Sequence, residues 1–389
     1  MIVLVTGIGD ELQLPPVPFE HSLLASTETT SDEHKAGVHI FSGFSHVYRL
    51  QTAMRFQDSV LVAILAKMRT PGGAKLTDRE WKALQSTSVD GPQHAHKLAN
   101  TEDFFQACYT WSVVSLAYAV RSFESAKASG RTLYATRAVD VVQNVSRGQA
   151  AAVAEALLSH TNMNDTGRLP HFGLYHVGME VRLTQTLAAP HVVVDCIGVI
   201  RGFKFAPEDE GRGDLNSSFV VLRRLPEAIY VQLQDVEQKF LAAEPSGLFV
   251  VRPYSNNRAW SLTVKLPASH GGGSEEVTVK ARRTQMPLVT VKASTLHVLQ
   301  GTTTDPGLIF HWRFPRRLQK DMRWLASYVA LSRVRSLERL RSVGLDHRVR
   351  EILEQGPPDT LPLRFRQLFA EKETLTRGFA DRCLTALGW

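Results

Sequence analysis

Three short runs in this chain carry side chains suited to phosphate chemistry. The first is Gly9-Asp10-Glu11-Leu12-Gln13-Leu14-Pro15-Pro16-Val17, directly after an apolar strand predicted over Ile2 to Thr6. A glutamine held at a strand end by a Gly-Asp turn and two prolines aims into the crevice where open α/β sheets bind ligands. Its amide can hydrogen-bond a γ-phosphate or an attacking water; the plainer alternative is a turn glutamine packed beside the prolines. The second run is Thr295-Leu296-His297-Val298-Leu299-Gln300-Gly301-Thr302-Thr303. A glycine after a polar run lets backbone amides approach a phosphate or a nucleotide strand. The hydroxyls of Thr295, Thr302 and Thr303, with His297, can contact a nucleic-acid backbone. The third run is Tyr328-Val329-Ala330-Leu331-Ser332-Arg333-Val334-Arg335. Arginine suits charge developing on a phosphoryl group because its planar fork donates bidentately and never deprotonates; the alternative for Arg333 is a salt-bridged helix residue. Arg55, in Met54-Arg55-Phe56-Gln57-Asp58, is a further cation whose plain reading is a helix-surface arginine.

These residues need a scaffold, and the chain has room for one. It has 389 residues, 43% of them hydrophobic, enough for two or three domains with real cores. The formal charge is +7, but it is not spread evenly. Ten arginines and Lys320 between His311 and Arg350 face only Asp321, Glu338 and Asp346, a surplus of eight that leaves the rest of the chain slightly negative. Basic clusters of this kind bind phosphates of nucleotides or nucleic acids, or simply coat a solvated helix. The three cysteines form no Cys-x-x-Cys pair and the histidines no His-Glu-x-x-His pattern, so no metal site is expected, and a reducing, intracellular compartment fits. No secretory leader is evident. The apolar stretch Phe104 to Val120 is interrupted by polar residues and reads as a buried helix, not a membrane span.

Along the chain, Asp58 is predicted to cap a helix with Leu61, Ile64, Leu65 and Met68 on one face, ended by Pro71-Gly72-Gly73. Thr77 and Glu80 form a capping box before Trp81 and Leu84. Asp90 to Glu102 reads as a polar linker. A helix is expected over Glu102 to Ser129, stopping at Gly130, then a strand over Leu133 to Thr136 and helices over Ala138 to Ser146 and Gln149 to Ser159. From Gly178 short β-rich runs recur to Arg282, separated by turn clusters, which suggests a small barrel or sandwich. Arg323 to Arg341 reads as helical, and the tail as two helices split by Pro357-Pro358.

The opening run resembles the phosphate-sensing motif of superfamily-one DNA helicases of the PIF and RecD-like group. The run at Thr295, preceded by Gln285-Met286-Pro287-Leu288, resembles that group's Thr-x-His-Lys-x-Gln-Gly-x-Thr motif, with Val298 in place of lysine. Tyr328 to Arg335 resembles its arginine-finger helix. Gly178 to Leu183 and Asp195 to Ile200 resemble the entry to its Src-homology-three-like barrel, with Asp195-Cys196 where Asn-Gly is common.

The resemblance implies an α/β fold. Residues 1–45 would be a remnant of a first RecA-like lobe of a P-loop NTPase. Residues 46–177 and 286–345 would form a second lobe, 178–285 an inserted β-barrel and 346–389 a helical tail. It implies that Gln13, Arg55 and Arg333 act on ATP, that Gly9, Asp10, Gln300 and Gly301 line the nucleotide site, and that Thr295, His297, Thr302, Thr303 and Arg335 face DNA. ATP and Mg2+ would be the cofactors. Single-stranded or forked DNA would be the partner, translocation would run 5′ to 3′, and the compartment would be nuclear or mitochondrial. The sequence contains no Gly-x-x-x-x-Gly-Lys-Ser/Thr loop and no acidic magnesium motif upstream of Gln13. The chain is therefore expected to begin within an ATPase, to lack useful hydrolysis by itself and to need a missing N-terminal lobe. The alternative is a non-enzymatic single-strand-binding protein, with Tyr254 or Trp260 stacking on bases. A Rossmann oxidoreductase based on Gly7-Ile8-Gly9 is disfavoured, because the third glycine is absent and the following prolines block the helix.

Overall fold

Capping chemistry starts the first helices where the sequence places them. Asp58 accepts from the Val60 and Leu61 amides at 2.8 and 3.2 Å and opens the helix Ser59–Met68, which buries Leu61, Ile64, Leu65 and Met68. Thr77 and Glu80 make the reciprocal capping box of the helix Asp78–Gln85, whose Trp81 and Leu84 are buried. Glu80 also takes the Lys67 ammonium at 2.6 Å, linking the two helices.

The computed structural model describes residues 56–386 apart from 100, 144, 146–147, 212–213, 216, 243–244, 257, 268–273 and 359–362, together with Asp32, Lys35, Ala36, His39, Gly43 and His46. The chain divides into two compact units, residues 1–98 with 296–389, and residues 99–295.

In the first unit the strands Leu308–His311 and Leu340–Val343 pair in parallel. The second strand is pinned by segment 87–90. Thr87 and Ser342 hydroxyls lie 2.7 Å apart, and the Asp90 carboxylate accepts the Gly344 amide at 2.8 and 3.0 Å. The expected linker from Asp90 is thus anchored at its start and continues as a 3-10 helix, Pro92–Leu98. The helix Lys320–Leu331 buries every residue from Trp324 onward. Asp346 caps the helix His347–Glu354, and the helix Leu363–Ala386 follows Pro357-Pro358.

In the second unit the expected helix over 102–129 is shorter. Phe105–Cys108 is a strand, paired in parallel with Ala293–Thr295, and the helix runs Trp111–Ser129, ended by left-handed Gly130. A short apolar run has no period of its own, and here Cys108 packs with Val114, Ala117 and Ala293. The helix expected over Ala138 to Ser146 is not found at 139–142 either. Val139–Val142 is a strand antiparallel to residues 281–284, as its β-branched residues favour. The expected strand at Leu133 and helix at Gln149 are present as Leu133–Arg137 and Ala150–Ser159. The former pairs in parallel with Phe219–Val221 and antiparallel with Phe172–Tyr175.

The β-rich runs after Gly178 are strands. Five form an antiparallel sheet in the order Leu288–Thr290, Glu180–Leu183, Ile197–Lys204, Ala228–Leu233, Leu248–Val251. Alternate residues Ile229, Val231 and Leu233 point into a core with Val181, Leu183 and Ile200. Gly198 permits close approach of the neighbouring strand: a Cβ there would stand 2.6 Å from a Val231 methyl. The hydrogen-bonded path through this sheet is open, so the closed pairing of a barrel is not seen among the described residues. A second sheet joins Val139–Val142, Ser274–Gln285, Trp260–Pro267 and Tyr254–Ser255. Under it Arg283, 1% exposed, donates to both Asp140 oxygens at 2.9 and 2.8 Å and to the Leu157 carbonyl at 2.8 Å. The fold is thus mixed α/β with parallel strand pairing. Among the described residues no helix is long and apolar enough to cross a membrane, and the three cysteines are free.

Candidate nucleotide and nucleic-acid interface

The helix expected to continue to Arg341 stops at Leu331, because Ser332 turns its hydroxyl back onto the Val329 carbonyl at 2.9 Å. Arg333 therefore stands just beyond the helix and not on it. It is 2% exposed. Its Nε donates to the Val329 carbonyl at 3.1 Å and Nη2 to the Ser332 hydroxyl at 2.8 Å, while Nη1 reaches the Thr302 carbonyl at 3.0 Å. In return the amide and hydroxyl of Thr304 donate to the Arg333 carbonyl at 3.0 and 3.2 Å. Two of the three chemical runs thus meet in a two-way clamp.

The other half of the clamp is a turn. Leu296–Leu299 is a 3-10 segment held by buried Leu296 and Leu299, and the Thr302 amide and hydroxyl both return to the Leu299 carbonyl. Gly301 lies at φ 82°, a left-handed conformation, with open space where a Cβ would stand. Gln300 and Thr303 are half-buried and Thr302 is exposed. His297 is also half-buried, and burial pushes its pKa down, so at neutral pH its ring is neutral. Thr295 ends the strand Ala293–Thr295 in the second unit. Arg335 is exposed and stands 3.9 Å from the exposed Asp305 carboxylate, a weak pair that leaves its guanidinium accessible. Its carbonyl accepts the Gln57 amide at 2.9 Å, and the next turn is held by Asp58, whose second oxygen takes the Leu337 amide at 3.0 Å.

Gly9, Asp10, Gln13 and Arg55 lie outside the described residues. Among the described residues no group of three or more His, Cys, Asp or Glu side chains could hold a metal ion. The Arg333 guanidinium is covered and engaged with the Thr302 carbonyl, so a phosphate would have to displace that oxygen. The described residues by themselves do not complete a site for ATP with Mg2+. Trp260 is not a platform for bases: it is 6% exposed, stacked on His160 at 4.7 Å and beneath the Arg283 guanidinium. Tyr254 is half-buried on its short strand. The sequence reading missed Ser332 and Thr304, the polar partners of Arg333. Their signal is a hydroxyl residue beside each run's functional residues, Ser332 before Arg333 and Thr304 directly after Thr303.

No family model matches the chain, and no curated protein matches it. It is similar to solved structures of Pif1 helicases. The Bacteroides Pif1 structure in complex with ADP-AlF3 and single-stranded DNA aligns at 16% identity and a TM-score of 0.49, over 93% of this chain and 66% of that one. The Candida albicans Pif1 helicase aligns at 15% identity and a TM-score of 0.44, over 83% and 61%. The chain thus spans less than two thirds of the length of these helicases.

Proposed function

We propose that this chain is the strand-contacting and arginine-bearing portion of a PIF-type, ATP-dependent DNA helicase, and that by itself it binds single-stranded DNA without hydrolysing ATP at a useful rate. The observation that carries this reading is the clamp between Arg333 and the turn at 301–304. Two runs with the group's residue pattern are joined by a direct hydrogen bond from Arg333 to the Thr302 carbonyl, 31 positions apart. The open backbone at Gly301, exposed Thr302 and accessible Arg335 supply groups a nucleic-acid backbone can use. In a complete enzyme Arg333 would exchange its bond to the Thr302 carbonyl for a phosphate, and so couple nucleotide state to the DNA-facing turn. Gln13, Arg55, Gly9 and Asp10 would complete the phosphate side. The open antiparallel sheet between 180 and 290 would take the place of the small barrel and help to grip the strand.

The missing phosphate loop supports the inactive reading, because that loop and its metal supply most of the electrostatic stabilisation in phosphoryl transfer. The test is purified protein with a fluorescent oligo(dT) and with ATP. Binding is expected to weaken steeply between about 50 and 200 mM salt, with Arg335→Ala weaker still and no DNA-stimulated phosphate release. DNA-stimulated turnover abolished by Arg333→Ala would overturn the inactive reading, and salt-independent binding would overturn the phosphate contacts. A second reading, a binding protein with no use of ATP, is favoured by the burial of Arg333. It expects nucleotide to leave DNA affinity unchanged.

A further inference from the structure

A cleft of about 390 Å³ opens in the first unit between the start of the helix Lys320–Leu331 and the helix His347–Glu354. Lys320, Arg323 and Arg348 line it, against a single carboxylate, Glu351. Lys320, Arg348 and Glu351 take part in no ion pair among the described residues. Two of its lining residues each keep one polar atom buried without a hydrogen-bond partner, Nε of Arg323 and Oε1 of Gln355. Buried polar groups are almost always satisfied, so two orphans in one basic cleft call for a ligand with polar atoms. Arg323 cannot turn away to satisfy itself. Its Nη2 is held by the Pro315 and Arg316 carbonyls at 3.2 and 2.8 Å, which also fixes the loop bearing Arg316 and Arg317 beside the cleft.

We infer that this cleft is a phosphate-binding site separate from the Arg333 clamp. Lys320 opens the helix and Arg333 follows its end, so the two lie roughly 18 Å apart along the axis. A phosphate oxygen accepts from the fixed Arg323 Nε, while exposed Lys320 and Arg348 supply the compensating charge. The Gln355 Nε2 already donates to the Lys320 carbonyl at 3.4 Å, so its Oε1 is left to accept from a water that accompanies the phosphate. The phosphate can belong to a single-stranded nucleic acid, continuing over the Arg316-Arg317 loop, or to a free phosphate species. Only the first source rests on the DNA-binding reading above.

The decisive variant is Lys320→Gln with Arg348→Gln. Both side chains are exposed and unpaired, so unfolding is not expected, and circular dichroism checks it. In the first arm, fluorescence anisotropy with oligo(dT) is expected to show binding about tenfold weaker in the variant. The slope of log affinity against log salt is expected to be shallower by about 0.7, one contact. In the second arm, pyrophosphate is expected to raise the melting temperature of the wild type and not of the variant. A loss in either arm supports the site and tells which source it serves. If the wild type binds no DNA but its pyrophosphate response is lost in the variant, the DNA reading falls and the site stands. Equal DNA affinity and slope together with equal pyrophosphate response in the two proteins would overturn it.

Discussion

Among the described residues, the most deeply buried arginines of the two units, Arg283 and Arg333, are held differently. Arg283, in the second unit, has a carboxylate on its fork, a carbonyl behind it and an indole below. Its charge is neutralised on the spot by Asp140, which suits a residue whose task is to stay. Arg333, in the first unit, donates to the Val329 and Thr302 carbonyls and to the Ser332 hydroxyl. Bonds to neutral oxygens fix geometry and are cheaper to exchange than a buried ion pair. The contrast sets a cation anchored on its counter-charge against one that ties two segments of chain together.

The largest expected effect comes from breaking the structural case. Asp140→Ala leaves the Arg283 guanidinium buried without its counter-charge, and urea denaturation is expected to show a loss of about 3–5 kcal/mol. Adding Arg283→Met is expected to recover most of it; a single-variant loss below about 1 kcal/mol would remove the distinction. Arg333→Met is expected to cost less, about 1–3 kcal/mol, by leaving the Thr302 carbonyl without its donor. Hydrogen exchange at the Thr304 amide should quicken in that variant and not in Arg335→Ala. Thr77→Ala tests an ordinary local cap in the first unit, with an expected loss of about 1 kcal/mol. A separate test of the surroundings of Arg283 is a pH dependence. Burial, helped by the Arg283 charge, holds the His171 pKa at about 4. The unfolded chain then takes up a proton that the folded one refuses, so this contribution is complete above about pH 6.5 and is lost as pH falls towards 4. Melting curves of wild type and His171→Gln should converge at low pH and separate above 6.5; parallel curves would place His171 in water.

Local chemistry was legible in the sequence. Asp58, Thr77 with Glu80, and the Pro357-Pro358 break each act over a few residues, and each stands where the residue pattern puts it. Segments whose state depends on distant partners were misread. Phe105–Cys108 becomes a strand because residues 293–295 pair with it, and Val139–Val142 because residues 281–284 do. At the candidate site the runs were readable one by one. Their meeting was not, since no spacing rule says that Arg333 turns back to Thr302. Nor does spacing reveal that Arg323 and Gln355 leave buried atoms unsatisfied, because that depends on two helices packed side by side.

Asp58 holds one further consequence. Its two oxygens join the start of a helix to the Leu337 amide, across 279 positions of chain. Closing a loop of that length from a disordered chain is entropically costly and slow. The second unit shortens the search. Its first strand lies beside its last, Gln106 opposite Ala293, so once it has folded its entry and exit are neighbours. The first unit then has to find itself across the width of a strand pair. Folding is expected to begin with the inner unit, and the surface bearing Arg333 to be the last to mature.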